Sequence, residues 1–247
     1  MEETWNGFRC ENIEFEGHPA VIVYPAEGTA NGQLALKTVY WGAFPRAIEV
    51  PLLEKGFHVC YINNDNRFGM DKCLDRTAKF VRYVQMKCGL QSKKCALVGM
   101  SCGGMVAIKF AARYPELVSC MYLDAPVVNY MSWPCGFGIG KGKHPTDDKF
   151  AEILSVLGMT SISELLACRT MPLDVLPELV KHNIPVVMVS GDSDYEVPYC
   201  ENGIFVEKAY KDAGAEIEVY IKPGGDHHPH GLPNPEVLVD FVLRHCR

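Results

Sequence analysis

Residues 95–105 read Cys95-Ala96-Leu97-Val98-Gly99-Met100-Ser101-Cys102-Gly103-Gly104-Met105. The run 95–99 has the length and apolarity of a buried strand, and 105–114 predicts a helix. Between them stands Gly99-Met100-Ser101-Cys102-Gly103, a Gly-x-Ser-x-Gly pattern. Those five residues alone recur by chance, but a strand before and a helix after give them meaning. So tight a strand-to-helix turn puts Ser101 at strained backbone angles, and the flanking glycines keep neighbouring side chains from colliding. The hydroxyl is then exposed at a helix N-terminus, where amides and the helix dipole favour a developing negative charge. Ser101 is the candidate nucleophile.

Outward from this turn, strands and helices alternate. Residues 12–17 and 19–25 predict an opening hairpin, 34–41 a third strand, and 45–55 a helix ending at Gly56. A buried strand follows at 57–62. The next helix has Asp71 as its cap, Leu74, Ala78, Val81 and Cys88 on one stripe, and Gly89 at its stop. Further strands are expected at 119–123, 185–189 and 216–221, with helices at 203–213 and through Leu238, Phe241, Val242 and His245. Such alternation implies βαβ units on a mainly parallel sheet, an α/β fold.

Residues 126–181 break the rhythm, because a crossover needs only about a dozen residues. A glycine-rich loop at 135–143 and helical segments at 150–157 and 162–168 read as a helical cap inserted into a single domain spanning 1–247. Trp133, Phe137 and Tyr130 line an acyl or sugar pocket there, or form the cap's own core. The loop's glycines and lysines fail the phosphate-loop spacing, so a hinge is expected instead.

A serine at its free pKa is a poor nucleophile and needs a base oriented by an acid. After the strand 185–189 comes Ser190-Gly191-Asp192-Ser193-Asp194. Asp194 lies out on the loop where it can turn toward a histidine, whereas Asp192 follows the strand end and caps the turn. After 216–221 comes Gly224-Gly225-Asp226-His227-His228-Pro229-His230. His227 is the expected base and His230 the alternative. Three histidines so close also suggest a metal tract. With no cysteine or paired carboxylate at ligand spacing nearby, no metal and no cofactor are expected. Cys102, beside Ser101, is read as a small core residue rather than a thiol nucleophile.

Composition limits the partners. The chain has 247 residues, 48% hydrophobic, with 24 basic and 30 acidic side chains for a net charge of −6. Such a balance offers no basic surface for nucleic acid, and no apolar run is long enough to span a membrane. The eleven cysteines include no Cys-x-x-Cys pair, which argues against a zinc knuckle or redox site. They read as reduced core residues in a cytoplasmic protein, since Met1-Glu2-Glu3-Thr4 leads into no apolar segment. An exposed cap leaves a homodimer open.

The serine, aspartate and histidine occur in the order of the α/β-hydrolase arrangement, and the chain resembles that superfamily over essentially its whole length. It looks most like small bacterial single-domain serine esterases, a group associated with acylated carbohydrates. Gly42-Ala43-Phe44-Pro45, Leu52-Leu53-Glu54-Lys55-Gly56-Phe57-His58-Val59 and the stretch from Lys222 to His230 carry that closer likeness. The resemblance implies an oxyanion hole from two backbone amides, Cys102 N–H and a donor after the third strand. Many members have His-Gly where this chain has Trp41-Gly42, and on that pattern the donor is Ala43. Such donors are typically worth about 3–4 kcal/mol each in the transition state. The implied activity is hydrolysis of carboxylic esters of small acyl groups. A peptidase of the same fold, or a binding protein without turnover, is the alternative.

Overall fold

The protein is described by a computed structural model covering residues 3–139 and 147–246. Alternating polar and apolar residues build the hairpin of β2 (Phe8–Phe15) and β3 (His18–Val23), paired antiparallel from Cys10–Val23 to Phe15–His18. A short strand absent from the sequence expectations, β1 (Thr4–Trp5), pairs with β2. Strand β4 (Leu34–Lys37) stops four residues short of the expected Trp41, because the chain turns there to present a loop. A 3-10 turn at Pro45–Ala47 and helix α1 (Glu49–Glu54) follow, then β5 (His58–Ile62).

Helix α2 (Asp71–Lys87) begins at Asp71, with Met70 at the N-cap position, so Asp71 is a first-turn acid rather than the cap. Leu74, Ala78 and Val81 are buried as expected, and Gly89 ends the helix at φ +61°. Next come β6 (Cys95–Met100), α3 (Cys102–Arg113) and β7 (Val118–Asp124). Helices α4 (Asp147–Leu157), α5 (Ile162–Ala167) and α6 (Pro172–Lys181) lead to β8 (Val186–Gly191). The chain finishes with α7 (Gly203–Asp212), β9 (Ile217–Lys222) and α8 (Glu236–His245).

Among the described residues, nine strands form one sheet in the order β1-β2-β3-β5-β4-β6-β7-β8-β9, parallel from β5 onward across that order. Period-two alternation sends successive side chains to opposite faces. Leu34, Leu36, Leu97, Met121, Leu123 and Met188 pack beneath α2, α3, α6 and α7. Ala35, Val98, Tyr122, Val187 and Val189 face α1 and α8. Both faces are covered, which is why the central strands read as continuous apolar runs.

Residues 126–181 do not act as one insertion. Leu176 and Leu179 of α6 belong to the core beneath the sheet, alongside residues of α3. Helix α6 is therefore the crossover helix joining β7 to β8, and the extra material ends near residue 171. Two prolines hid it: Pro172 opens the helix, where a missing N–H costs nothing, and Pro177 lies inside it. Helices α4 and α5 contribute Ile153 and Leu165 to a third cluster with Phe68, Cys102, Met105 and Tyr130. Residues 140–143 of the glycine-rich loop lie outside the described residues.

Candidate active site

Every element of the site leaves the carboxyl end of a parallel strand, where open α/β sheets place their binding crevices. At the end of β6, Ser101 has φ 51° and ψ −120°, a strained conformation for a side-chain-bearing residue. The backbone around it over-determines that geometry. Ser101 N–H donates to Asp124 O at 2.8 Å, while Ser101 O accepts from Gly104 N–H at 2.9 Å and Val127 N–H at 3.0 Å. A Cβ on Gly99 would stand 2.7 Å from Gly103 O, and one on Gly104 would stand 2.4 Å from Pro126 Cβ. The segment after β7 therefore clamps the turn, and only glycine fits between.

Strand β8 delivers the acid loop. Asp194 is buried; its Oδ1 accepts from the amides of Glu196 at 2.9 Å and Val197 at 2.8 Å, leaving Oδ2 for His227 Nδ1 at 2.8 Å. Asp192 faces away, accepting Gly224 N–H at 2.7 Å and the Ser193 hydroxyl at 3.0 Å. The acid and histidine loops meet closely, with Ser193 N–H donating to Gly225 O at 2.9 Å. A Cβ on Gly191 would lie 2.1 Å from that same oxygen, so the contact requires glycine there. From the far side of its ring, His227 Nε2 reaches Ser101 Oγ at 3.0 Å. Ser101, His227 and Asp194 are thus joined in one hydrogen-bonded chain.

His230 does not face the serine's acid. Its Nδ1 bonds Asp124 Oδ1 at 2.8 Å, while Asp124 Oδ2 accepts from Gly231 N–H at 2.6 Å and from the Tyr122 hydroxyl. Burial alone would raise the Asp124 carboxyl, but the hydrogen bond and charge of His230, then Tyr122 and the Gly231 amide, hold it below the ordinary carboxylate range. Sequence reasoning did not single out Asp124. The only signal was an acid directly after the buried run 119–123. His228 is exposed and lies flat on Phe44, ring centroids 5.3 Å apart. Burial first, then His227 and His230, lower its imidazole pKa.

The oxyanion expectation needs one correction. Cys102 N–H has no hydrogen-bond acceptor among the described residues and stands at the N-terminus of α3. Ala43 N–H, in contrast, donates to Tyr40 O at 3.0 Å, closing a turn within its own loop. Among the loop residues that line the cleft, Tyr40 and Phe44 carry amides without an acceptor among the described residues. The Ala43 carbonyl is in turn held by Lys37 Nζ at 3.3 Å. The Cys102 side chain is buried with Phe68 and Met105, and burial pushes its thiol pKa up, as suits a core residue.

A cleft of about 270 Å³ opens over Ser101, walled by Tyr40, Phe44, Arg67, Trp133, Lys149 and Glu196. Arg67 ties the body to α4 through Glu152 at 2.6 Å. Of the three aromatics raised by the sequence, Trp133 lines the cleft, Tyr130 is core, and Phe137 is exposed, edge-on to Phe150.

Residues 41–146 match the family model described as alpha/beta hydrolase fold. Among solved structures, a truncated form of carbohydrate esterase from gut microbiota superposes with a TM-score of 0.68 at 17% identity, covering 99% of each chain. Est1E from Butyrivibrio proteoclasticus gives 0.65 at 17% identity, covering 96% of this chain and 98% of that one. Pyrococcus horikoshii acylaminoacyl peptidase, uncomplexed, gives 0.67 at 15% identity over 97% of this chain. The chain spans only 42% of that peptidase's length. At these identities the likeness is one of fold.

Proposed function

The chain has the α/β-hydrolase fold, and from that premise we propose that it is a serine hydrolase cleaving carboxylic esters of small acyl groups, with acetylated carbohydrates as the first substrates to try. The observation that carries the proposal is the chain Ser101 Oγ–His227 Nε2 at 3.0 Å and His227 Nδ1–Asp194 Oδ2 at 2.8 Å. In this reading His227 takes the Ser101 proton as the hydroxyl attacks the ester carbonyl. Asp194 holds the imidazole in the required tautomer and stabilises its charged form. The amide of Cys102 and a second from the loop after β4, that of Tyr40 or Phe44, receive the oxyanion. The alcohol leaves with the proton from His227, and water activated by the same ring releases the acid from Ser101.

Esters rank above peptides because the cleft over Ser101 is small, about 270 Å³. The two-way coverage with the carbohydrate esterase favours the same substrate class. A reducing, cytoplasmic setting belongs to this proposal, resting on eleven free cysteines, and a homodimer stays within it. The test is a panel of nitrophenyl esters, acetylated sugars and peptide amides. Turnover of short acyl esters, abolished in Ser101→Ala, is the expected result. Full esterase activity in that variant would sink the proposal. Faster turnover of the amides would replace the esterase with a peptidase. Failure of a fluorophosphonate probe to label Ser101 would leave a binding protein.

A further inference from the structure

Hydrolysis as proposed uses one of the three histidines on the loop after β9 and leaves the other two without a task. Their arrangement is not that of solvated loop residues. The rings of His227, His228 and His230 form a nearly equilateral triangle, with centroids 4.8, 5.0 and 5.0 Å apart. One nitrogen from each lies within 4.8 Å of the other two. Two of these rings are anchored identically: Asp194 holds Nδ1 of His227, and Asp124 holds Nδ1 of His230, each at 2.8 Å, with all four side chains almost wholly buried. A carboxylate on Nδ1 fixes the tautomer and leaves Nε2 with its lone pair. That is the outer-shell arrangement by which proteins orient histidines toward a metal.

We propose that His227, His228 and His230 form a binding site for one Zn²⁺ ion, and that the bound ion takes His227 away from Ser101, so that this enzyme is reversibly switched off by zinc. Three neutral imidazoles are a borderline-soft donor set, suited to zinc and ill suited to calcium or magnesium, which need oxygen ligands. Nitrogens about 2.0–2.1 Å from a tetrahedral zinc lie roughly 3.3 Å from one another. Closing the triangle from within 4.8 Å therefore needs a displacement on the order of an ångström per ring. His228 can supply most of it, being exposed and stacked on Phe44. The fourth position faces the cleft, where water can fill it. The absence of a cysteine or carboxylate at ligand spacing does not count against the site, because its carboxylates act from behind the rings. Asp124 comes from the end of β7 and could not be paired with His230 by spacing.

Zinc binding stands apart from the proposed hydrolysis; the inhibition rests on it. The experiment is calorimetric titration of Zn²⁺ into the chelator-treated full chain carrying Cys200→Ser, which removes the exposed thiol. The expected result is one ion per chain, with affinity lowered about tenfold or more by His228→Ala and by His230→Ala. The Ser101→Ala variant should bind zinc as tightly as its parent, so binding is scored whether or not any ester is turned over. His228 is exposed, which guards against a variant that merely unfolds. Unchanged affinity in His228→Ala, or no saturable stoichiometric binding, overturns the site. On an ester that the protein does turn over, micromolar Zn²⁺ should inhibit, a chelator should restore the rate, and His228→Ala should shift inhibition to higher zinc. Zinc bound at the three histidines without loss of turnover would overturn the switch.

Discussion

Asp192 and Asp194 stand two positions apart on one loop, and their hydrogen bonds divide two tasks between them. Asp194 Oδ1 is occupied by two amides of its own loop, so Oδ2 has no freedom but to meet His227. Asp192 fixes the histidine loop by accepting Gly224 N–H. Asp194→Asn is therefore expected to lower kcat by about 10⁴, since an amide selects the wrong imidazole tautomer. Asp192→Asn should keep kcat near that of the parent and lower the melting temperature instead. Side-by-side kcat and thermal measurements check both, and a large kcat loss in Asp192→Asn would contradict the division. This distinction was legible in the sequence, because distance from the strand end separates a turn-former from an acid that can reach out. The Asp124–His230 pair was not, since it joins residues 106 apart through sheet order alone. Nor was the state of Ala43 N–H, which depends on the turn its own loop adopts.

At the scale of elements, the segment after β4 shows how a buried ion pair shapes a loop. Lys37, the last residue of β4, and Glu49, the first of α1, pair in the core with almost no exposure. Burial pushes the Glu49 carboxyl up against the pull of Lys37. The same ammonium donates to Ala43 O at 3.3 Å, so it secures the loop whose amides face the cleft. Removing one partner leaves the other buried and uncompensated. Lys37→Met is expected to cost about 3–5 kcal/mol, and the double variant Lys37→Met, Glu49→Leu to recover most of that. Urea midpoints give the values, and equal losses in single and double variants would show that the pair has no such role. A lysine ending an apolar strand gave no hint of this partner in the sequence, which instead let the strand run on to Trp41. Helix α6 was hidden for a different reason. Its prolines suppress the helical signal locally, and burial of Leu176 and Leu179 among core residues of α3 overrides it.

Across the whole molecule, the alternation of strands and helices was legible because each central strand is covered on both faces, and such strands must be apolar throughout. The same coverage explains the cysteines. Nine of the eleven are buried, Cys88 is half-buried, and only Cys200 is exposed. Burial raises the pKa of Cys10, Cys60, Cys95 and Cys102, which suppresses the thiolate that reacts. Cys246 is lowered, by its hydrogen bonds with Cys120 and Ser119, yet it is itself 7% exposed. Dithionitrobenzoate should therefore find one fast thiol in the native protein, lost in Cys200→Ser, and a slower one at Cys88. Unfolding in denaturant without reductant should release all eleven. The sulfurs of Cys120 and Cys246 lie 3.9 Å apart, within reach of a bond if the chain meets an oxidant. A titre short by two, restored by reductant, would assign that pair to a disulfide and contradict the reading of these cysteines as core residues chosen for size.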